Sequence, residues 1–326
     1  MGICLCGPSA KKVLDLIALK RIGHGGRADA RFFEGCRAGK RELDAALSTL
    51  PYLERPVHLL VPEQKLRVND GVRRSHVWNR TVPEGALFRI APMVCTVSPE
   101  FNALLEMRGA SRISRALTLM DYCGIFAIDE GSEDGFVRRP QLTSTVRLRD
   151  FALETRFNPC SRLLADAVEL ALERARSPLE AKLALALTAP REMGGFGLPK
   201  PELNSPVDVG DKGFALIGRR SLEADLVWKS GGVIVEANGR LRHEDRFGED
   251  LTRASAFEAN GYSVRFVTSL QLRSPRQMCL LAQWLMDRLG IEMPFPDMAV
   301  LQRLLEEIMG FEYHHISLSA PHNSID

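Results

Sequence analysis

The stretch "GGVIVEANGRLRH", residues 231–243, decides how this sequence is read. Val233-Ile234-Val235 is a β-branched run and predicts a buried strand. That strand then delivers Glu236 and Asn238, two polar side chains where a dry interior should continue. Upstream, "EADLVW" at 223–228 predicts a second strand, and Ser230-Gly231 between the two runs is a hairpin signal. A two-residue loop there pairs Lys229 with Gly232, Val227 with Ile234 and Asp225 with Glu236. A four-residue loop from Lys229 to Gly232 keeps the same register. Either way Asp225 and Glu236 oppose each other on one face, with Cβ atoms roughly 5 Å apart. Alternation with period two keeps Asn238 on that face.

Two opposed carboxylates repel each other, and burial adds a desolvation cost. A divalent cation relieves both. Oxygen ligands plus an amide point to Mg2+ or Mn2+ rather than zinc. A plain structural account competes: Asp225 pairs with Arg219 or Arg220 on a solvated rim, and Glu236 with Arg240 or Arg242. Exposed pairs of that kind contribute little. An odd loop length would separate the two acids.

Outward from the hairpin, "SPLEAKLALALT" (177–188) predicts a helix and "LPKPELNSPVDV" (198–209) an extended segment. "DLTRASAFEANG" (250–261) reads as a helix closed by Gly261, "YSVRFVT" (262–268) as a strand, and "SPRQMCLLAQWLMDRLG" (274–290) as a Ser-Pro-initiated helix. This order is that of an α/β layer arrangement. Met193-Gly194-Gly195-Phe196-Gly197 reads as a flexible connection, because helix-loop-strand is the wrong order for a dinucleotide fingerprint. The tail "FEYHHISLSAPHNSID" (311–326) reads as exposed, and adjacent His314 and His315 would not share a face to hold a metal.

The first half has another texture. "KKVLDLIALKR" and "KRELDAALSTLP" carry helical patterns within a basic segment that extends to about residue 55. Short β-forming runs then follow over 56–97 ("PVHLLVP", "GVRRSHVW", "ALFRIAP", "MVCTVS"), punctuated by Pro, Gly and Asn-Asp-Gly. Ser98 and Pro99 open a helix as N-cap and first residue. "CSRLLADAVELALERAR" predicts an amphipathic helix, and the boundary between halves falls near residue 176.

With 45% hydrophobic and 26% charged residues, the chain has the composition of an ordinary globular protein. Its net charge of +2 neither announces nor excludes a nucleic-acid partner, so any basic surface must be local. The Arg pairs at 73–74, 138–139 and 219–220 and "RLR" at 147–149 are candidate phosphate contacts or solvated faces. No apolar run approaches a membrane span. Seven cysteines without a repeated C-x-x-C suit reduced structural thiols in a cytoplasmic protein.

The pattern "EADLVW…GGVIVEANGRLRH…EDLTRASAFEANGYSVRFVT" resembles a small prokaryotic nuclease-like domain related to very-short-patch-repair endonucleases, within the PD-(D/E)XK, or restriction-endonuclease-like, superfamily. The family's Asp before a hairpin, Glu-x-(Asp/Asn)-Gly, following His, Asp-x-x-Arg and Gly-aromatic-x-Val fall on Asp225, Glu236 to Gly239, His243, Asp250 with Arg253, and Gly261 to Val264. The helix at 177–188 is similar to the family's opening helix and places its acid at Glu180. The resemblance covers roughly 177–290. More loosely, the upstream half resembles long actinobacterial-type versions of such proteins with an abortive-infection antitoxin-like region.

By its texture the chain divides into an α+β region over 1–176 and a C-terminal helix and tail over 291–326, and the resemblance implies a restriction-endonuclease-like mixed sheet flanked by helices over 177–290. It also implies metal-dependent hydrolysis of DNA phosphodiester bonds, in repair or phage defence. Asp225, Glu236 and Glu180 would hold Mg2+ or Mn2+, Asn238 and His243 would assist the chemistry, and Arg240, Arg242 and Arg253 would contact DNA. Asn238 stands where the superfamily commonly has Lys, and an amide carries no charge. The alternative is therefore a catalytically weak, DNA-binding or regulatory protein of the same fold. Glu180 has a structural reading too, since Ser177-x-x-Glu180 is a capping box. Arg253 has one as well, in a helix-face pair with Asp250, and His243 can be an ordinary surface residue.

Overall fold

Three sheets, of five, four and three strands, carry the chain in the computed structural model, which describes residues 2–238 and 244–316. Two compact units form, one running to residue 169 and resuming from 313, the other spanning 170–312.

The first unit opens with β1 (Ile3–Leu5), a wholly buried strand, followed by α1 (Gly7–Ala18), α2 (Ala30–Glu34) and α3 (Lys40–Thr49). The runs expected to form strands do so as β2 (Val57–Val61), β3 (Arg73–Val77), β4 (Leu87–Ala91) and β5 (Val94–Val97). Their order is β3-β2-β1-β5-β4, so the three residues of β1 sit at the centre, antiparallel to β2 and parallel to β5. The sequence read this opening segment as helical, because a three-residue strand buried on both sides shows no alternation. Ser98 caps α4 (Pro99–Glu106) through its hydroxyl, as expected. Then come α5 (Arg112–Tyr122), the hairpin of β6 (Phe126–Asp129) and β7 (Phe136–Arg138), α6 (Thr145–Glu154) and α7 (Pro159–Val168). The helix expected to continue toward residue 176 stops at Val168.

The second unit holds α8 (Pro178–Thr188), β8 (Glu202–Asp208), α9 (Gly210–Ile217), β9 (Ser221–Trp228), β10 (Val233–Asn238), α10 (Glu244–Ala259) and β11 (Ser263–Thr268). It closes with α11 (Ser269–Leu272), α12 (Pro275–Leu289) and α13 (Met298–Gly310). Its sheet order is β11-β10-β9-β8, with β8, β9 and β10 antiparallel in turn and β11 parallel to β10. Phe257 and Ala256 of α10 pack in a buried cluster with Leu222, Ala224, Val227 and Ile234.

Three boundaries differ from the sequence reading. The second unit begins at 170 rather than 177. It also keeps residues 291–312, because Lys182 Nζ of α8 donates to the carbonyls of Met309 and Phe311. The tail is not exposed at its start: Tyr313 is buried edge-to-face on Phe126, and β12 (His315–Ile316) pairs with β6. Nor is the glycine segment at 193–197 a loose connection. A Cβ on Gly195 would lie 2.1 Å from the Ala189 carbonyl oxygen, so the backbone is tightly packed there. Seven free thiols are present, five of them buried, in keeping with structural cysteines.

The first unit carries a closed charge network. Lys11 Nζ meets Asp15 at 2.8 Å and Asp121 at 3.1 Å, while Arg139 meets the same two acids at 2.6 and 3.2 Å. All four side chains are almost wholly buried. Arg139, one of the candidate phosphate contacts, is thereby a structural residue. Two cations cancel two anions, so removing one partner leaves an uncompensated buried charge. Arg139→Ala is expected to destabilise the chain by about 3–5 kcal/mol, measured as a shift in the urea unfolding midpoint; a shift below a tenth of that range would mean the network is dispensable.

Candidate functional site

The hairpin has the even register that the sequence anticipated. Trp228, Val227 and Leu226 pair with Val233, Ile234 and Val235, and the next step sets Asp225 against Glu236. The turn at Lys229–Gly231 closes on Gly232 in the left-handed region (φ 58), which a glycine adopts without steric cost. Trp228 is buried and donates its indole N–H to the Pro199 carbonyl.

At the acidic pair the main-chain ladder gives way to side chains. The Asp225 backbone N–H donates to Glu236 Oε1 at 3.3 Å, and the Ala237 N–H donates to Asp225 Oδ2 at 2.9 Å. Both carboxyls therefore lie in the seam between β9 and β10. Arg253 of α10 donates to Glu236 Oε2 at 3.0 Å and to the Glu223 carbonyl at 2.7 Å, with its guanidinium over the Phe257 ring. Arg253 thus reaches the acidic pair, and its position beside Glu236 is tertiary rather than a helix-face feature. Asn238 donates to Asp250 Oδ2 at 3.4 Å. Arg219 and Arg220 do not neutralise Asp225, and Arg220 pairs with Asp211 instead. His243, Arg240 and Arg242 lie outside the described residues.

Only half of the expected capping box forms, since Ser177 caps α8 while the Glu180 carboxylate takes the Arg176 N–H instead of that of Ser177. Ser177 Oγ accepts from the Glu180 N–H and donates to Glu180 Oε1, while the Arg176 N–H and Asn204 Nδ2 donate to Oε2. Yet the Glu180 charge is felt at Asp225, where it is the largest influence after burial. The sequence reading missed Asn204 and Arg176. Asn204 holds a positive φ of 47° in the strand position that the β8–β9 register places opposite Asp225. Its Oδ1 is buried and accepts no hydrogen bond. Arg176 reaches the Glu223 carboxylate with its guanidinium. The available signal was an Asn inside an extended run, since Asn tolerates the left-handed region better than most residues.

Burial, then the Glu180 charge, pushes the Asp225 carboxyl up to about 7. Burial, then the Asp225 charge, pushes Glu236 up to about 7, with Arg253 opposing. Glu180 is raised by burial against the pull of its hydrogen bonds. Three carboxyls, each raised, face two guanidiniums, so the site carries surplus negative charge.

Among the described residues no group of three or more His, Cys, Asp or Glu is arranged to hold a metal ion. The oxygen donors nevertheless suit a hard cation bound by two carboxylates. Mg2+ keeps several waters and commonly takes one or two carboxylates plus substrate phosphate. Asp225 and Glu236 fit that pattern, and Asn204, opposite Asp225 in the β8–β9 register, carries an orphaned buried Oδ1. Glu180 adds its charge at Asp225.

No family model matches the sequence, and no curated protein and no solved structure matches the chain.

The raised carboxyls make stability depend on pH. Asp225 and Glu236 bind their protons more tightly folded than unfolded. Their contribution is complete below about pH 4, the unfolded value, and is lost as pH rises toward 7. Asp225→Asn is expected to flatten this slope and stabilise the chain at pH 8 by on the order of 2 kcal/mol. Thermal unfolding at pH 5 and pH 8 measures it, and equal pH slopes for wild type and variant would rule it out.

Proposed function

We propose that this chain is a metal-dependent endonuclease that hydrolyses DNA phosphodiester bonds, with a restriction-endonuclease-like domain in its second unit. One observation carries the reading: Asp225 and Glu236 share a buried seam with too little positive charge to neutralise them. The order of elements supports it. An opening helix, a hairpin bearing the two acids, a helix and a final strand are what the resemblance implies, and α8, β9–β10, α10 and β11 follow that order.

Asp225 and Glu236 would hold Mg2+ or Mn2+, which when bound polarises a phosphate and lowers the pKa of a water. The chain's own groups do the positioning. Glu236 is oriented by Arg253, whose guanidinium would also offer positive charge to a phosphate held at the site. Asp225 is held through the Ala237 N–H, and Glu180 raises the field at Asp225 that draws in a cation.

Asn238 favours a second reading, a DNA-binding or antitoxin-like regulatory protein with weak or absent chemistry. Its amide carries no charge and is turned toward Asp250.

Supercoiled plasmid nicking separates the two. Wild type is expected to nick with Mg2+ or Mn2+ and to stop on chelation. Asp225→Ala and Glu236→Ala should each lower the rate by about 100-fold or more, with DNA affinity kept or raised because repulsion of phosphate falls. Asn238→Lys should quicken cleavage. Wild type that binds DNA without cutting it under either metal would favour the regulatory reading. Cutting that survives Asp225→Ala would place the chemistry elsewhere.

A further inference from the structure

The first unit holds a cavity of about 580 Å3 remote in sequence from the acidic pair. Its size falls within the range of small-molecule sites. Four segments surround it: the turn after β2, the end of β3 with the residues that follow, the C-terminal end of α4, and the start of α7.

The charge on its wall is one-sided. Arg67, Arg80 and Arg108 line it, and no described Asp or Glu does. Arg67 and Arg108 make no ion pair with a described residue, whereas Arg73, Arg147 and Arg149 of the same unit each meet an acid. Arg80 is braced from below, donating to the Phe157 carbonyl at 3.0 Å. Asn158 and Pro159 bring the first turn of the ten-residue helix α7 to the wall, and this end of a helix favours anions.

A histidine pair adjoins the cavity. His76, on the wall, stacks on His58 with Nε2 3.0 Å from His58 Nδ1. Desolvation, then the charges of Arg67 and Arg74, hold the His76 pKa down. Desolvation, then His76 itself, pushes His58 down to about 4. Desolvation acts on a charge of either sign, so only the lesser influence of Arg67 and Arg74, which Glu106 opposes, speaks of positive charge at the wall.

Part of the remaining wall is polar, with Gln64, Ser75 and Asn79, and part is apolar. Val77, Trp78, Leu105 and Pro159 form the apolar part, and Trp78 is anchored edge-on against Phe101. Guanidiniums suit phosphate oxygens, which they bind bidentately, and an apolar wall suits a flat ring. A DNA duplex presents its phosphates on a convex rod, whereas a cavity encloses a compact ligand. We propose that this cavity binds a mononucleotide, with its phosphates on Arg67, Arg80 and Arg108 and its base against the apolar wall.

Calorimetry on the full chain tests it, with ATP, GTP, adenosine, tripolyphosphate and a short DNA duplex as separate probes. ATP or GTP is expected to bind more tightly than either adenosine or tripolyphosphate. Arg67→Gln and Arg108→Gln, both at exposed positions, should each weaken nucleotide binding by about tenfold or more without changing Tm. Arg149→Gln, whose guanidinium meets Glu169 instead, should leave it unchanged. Absence of nucleotide binding would overturn the proposal. So would tripolyphosphate binding as tightly as ATP, which would make the cavity a plain anion site. Displacement of ATP by the duplex, with both affinities lost in the Arg67 and Arg108 variants, would reassign it to nucleic-acid backbone.

Discussion

Two carboxyl groups occupy the seam where β9 and β10 cease to exchange main-chain hydrogen bonds, and the second unit is organised around that substitution. Each acid accepts an N–H that the ladder would otherwise have used, so each is structural before it is chemical. The arrangement depends on an even turn. With Gly232 in the left-handed region, the turn returns the chain in the register that opposes Asp225 to Glu236. A slip by one residue would send one acid to the other face. Around the pair stand Arg253 from α10, Glu180 from the first turn of α8, and Asn204 from β8, each brought by a different element.

The chain treats charge in three ways, and the contrast gives each region its meaning. Lys11, Arg139, Asp15 and Asp121 balance two against two in near-complete burial, and such a network fastens helices. The acidic seam does not balance, and its carboxyls respond by holding protons up to about pH 7. The cavity in the first unit errs in the opposite direction, toward unpaired guanidiniums and histidines kept neutral. Desolvated charge without a partner is costly in the seam, whereas the cavity's guanidiniums stay exposed and keep their charge. The seam therefore suits a cation and the cavity an anion.

Much of the second unit was legible because its signals are local. β-branched runs, Ser-Pro helix starts, Gly261 and Gly290 as terminators, and a short Gly-bearing turn each act within a few residues. They were enough to place the hairpin, the register and the convergence of Asp225 with Glu236. The same locality explains the failures. β1 has three residues and no alternation, so nothing near it announces the centre of a five-stranded sheet. The segment 193–197 looked loose because glycine reads alike in a flexible loop and in a place too tight for a Cβ. The start of the tail looked polar, yet Tyr313 finds Phe126 almost two hundred residues earlier.

What the sequence determined by itself is the pairing of two acids across one hairpin, since strand period and turn length are set by neighbouring residues. What only the tertiary structure decided is the state of those acids. Arg253 turns to Glu236, Asn238 turns to Asp250, and Asn204 and Arg176 close over Glu180. These contacts join residues separated by 4 to 24 positions in different elements, together with burial by the packed sheet and helices. Electrostatic environment is a property of everything that surrounds a group, and periodicity along one strand carries no record of it.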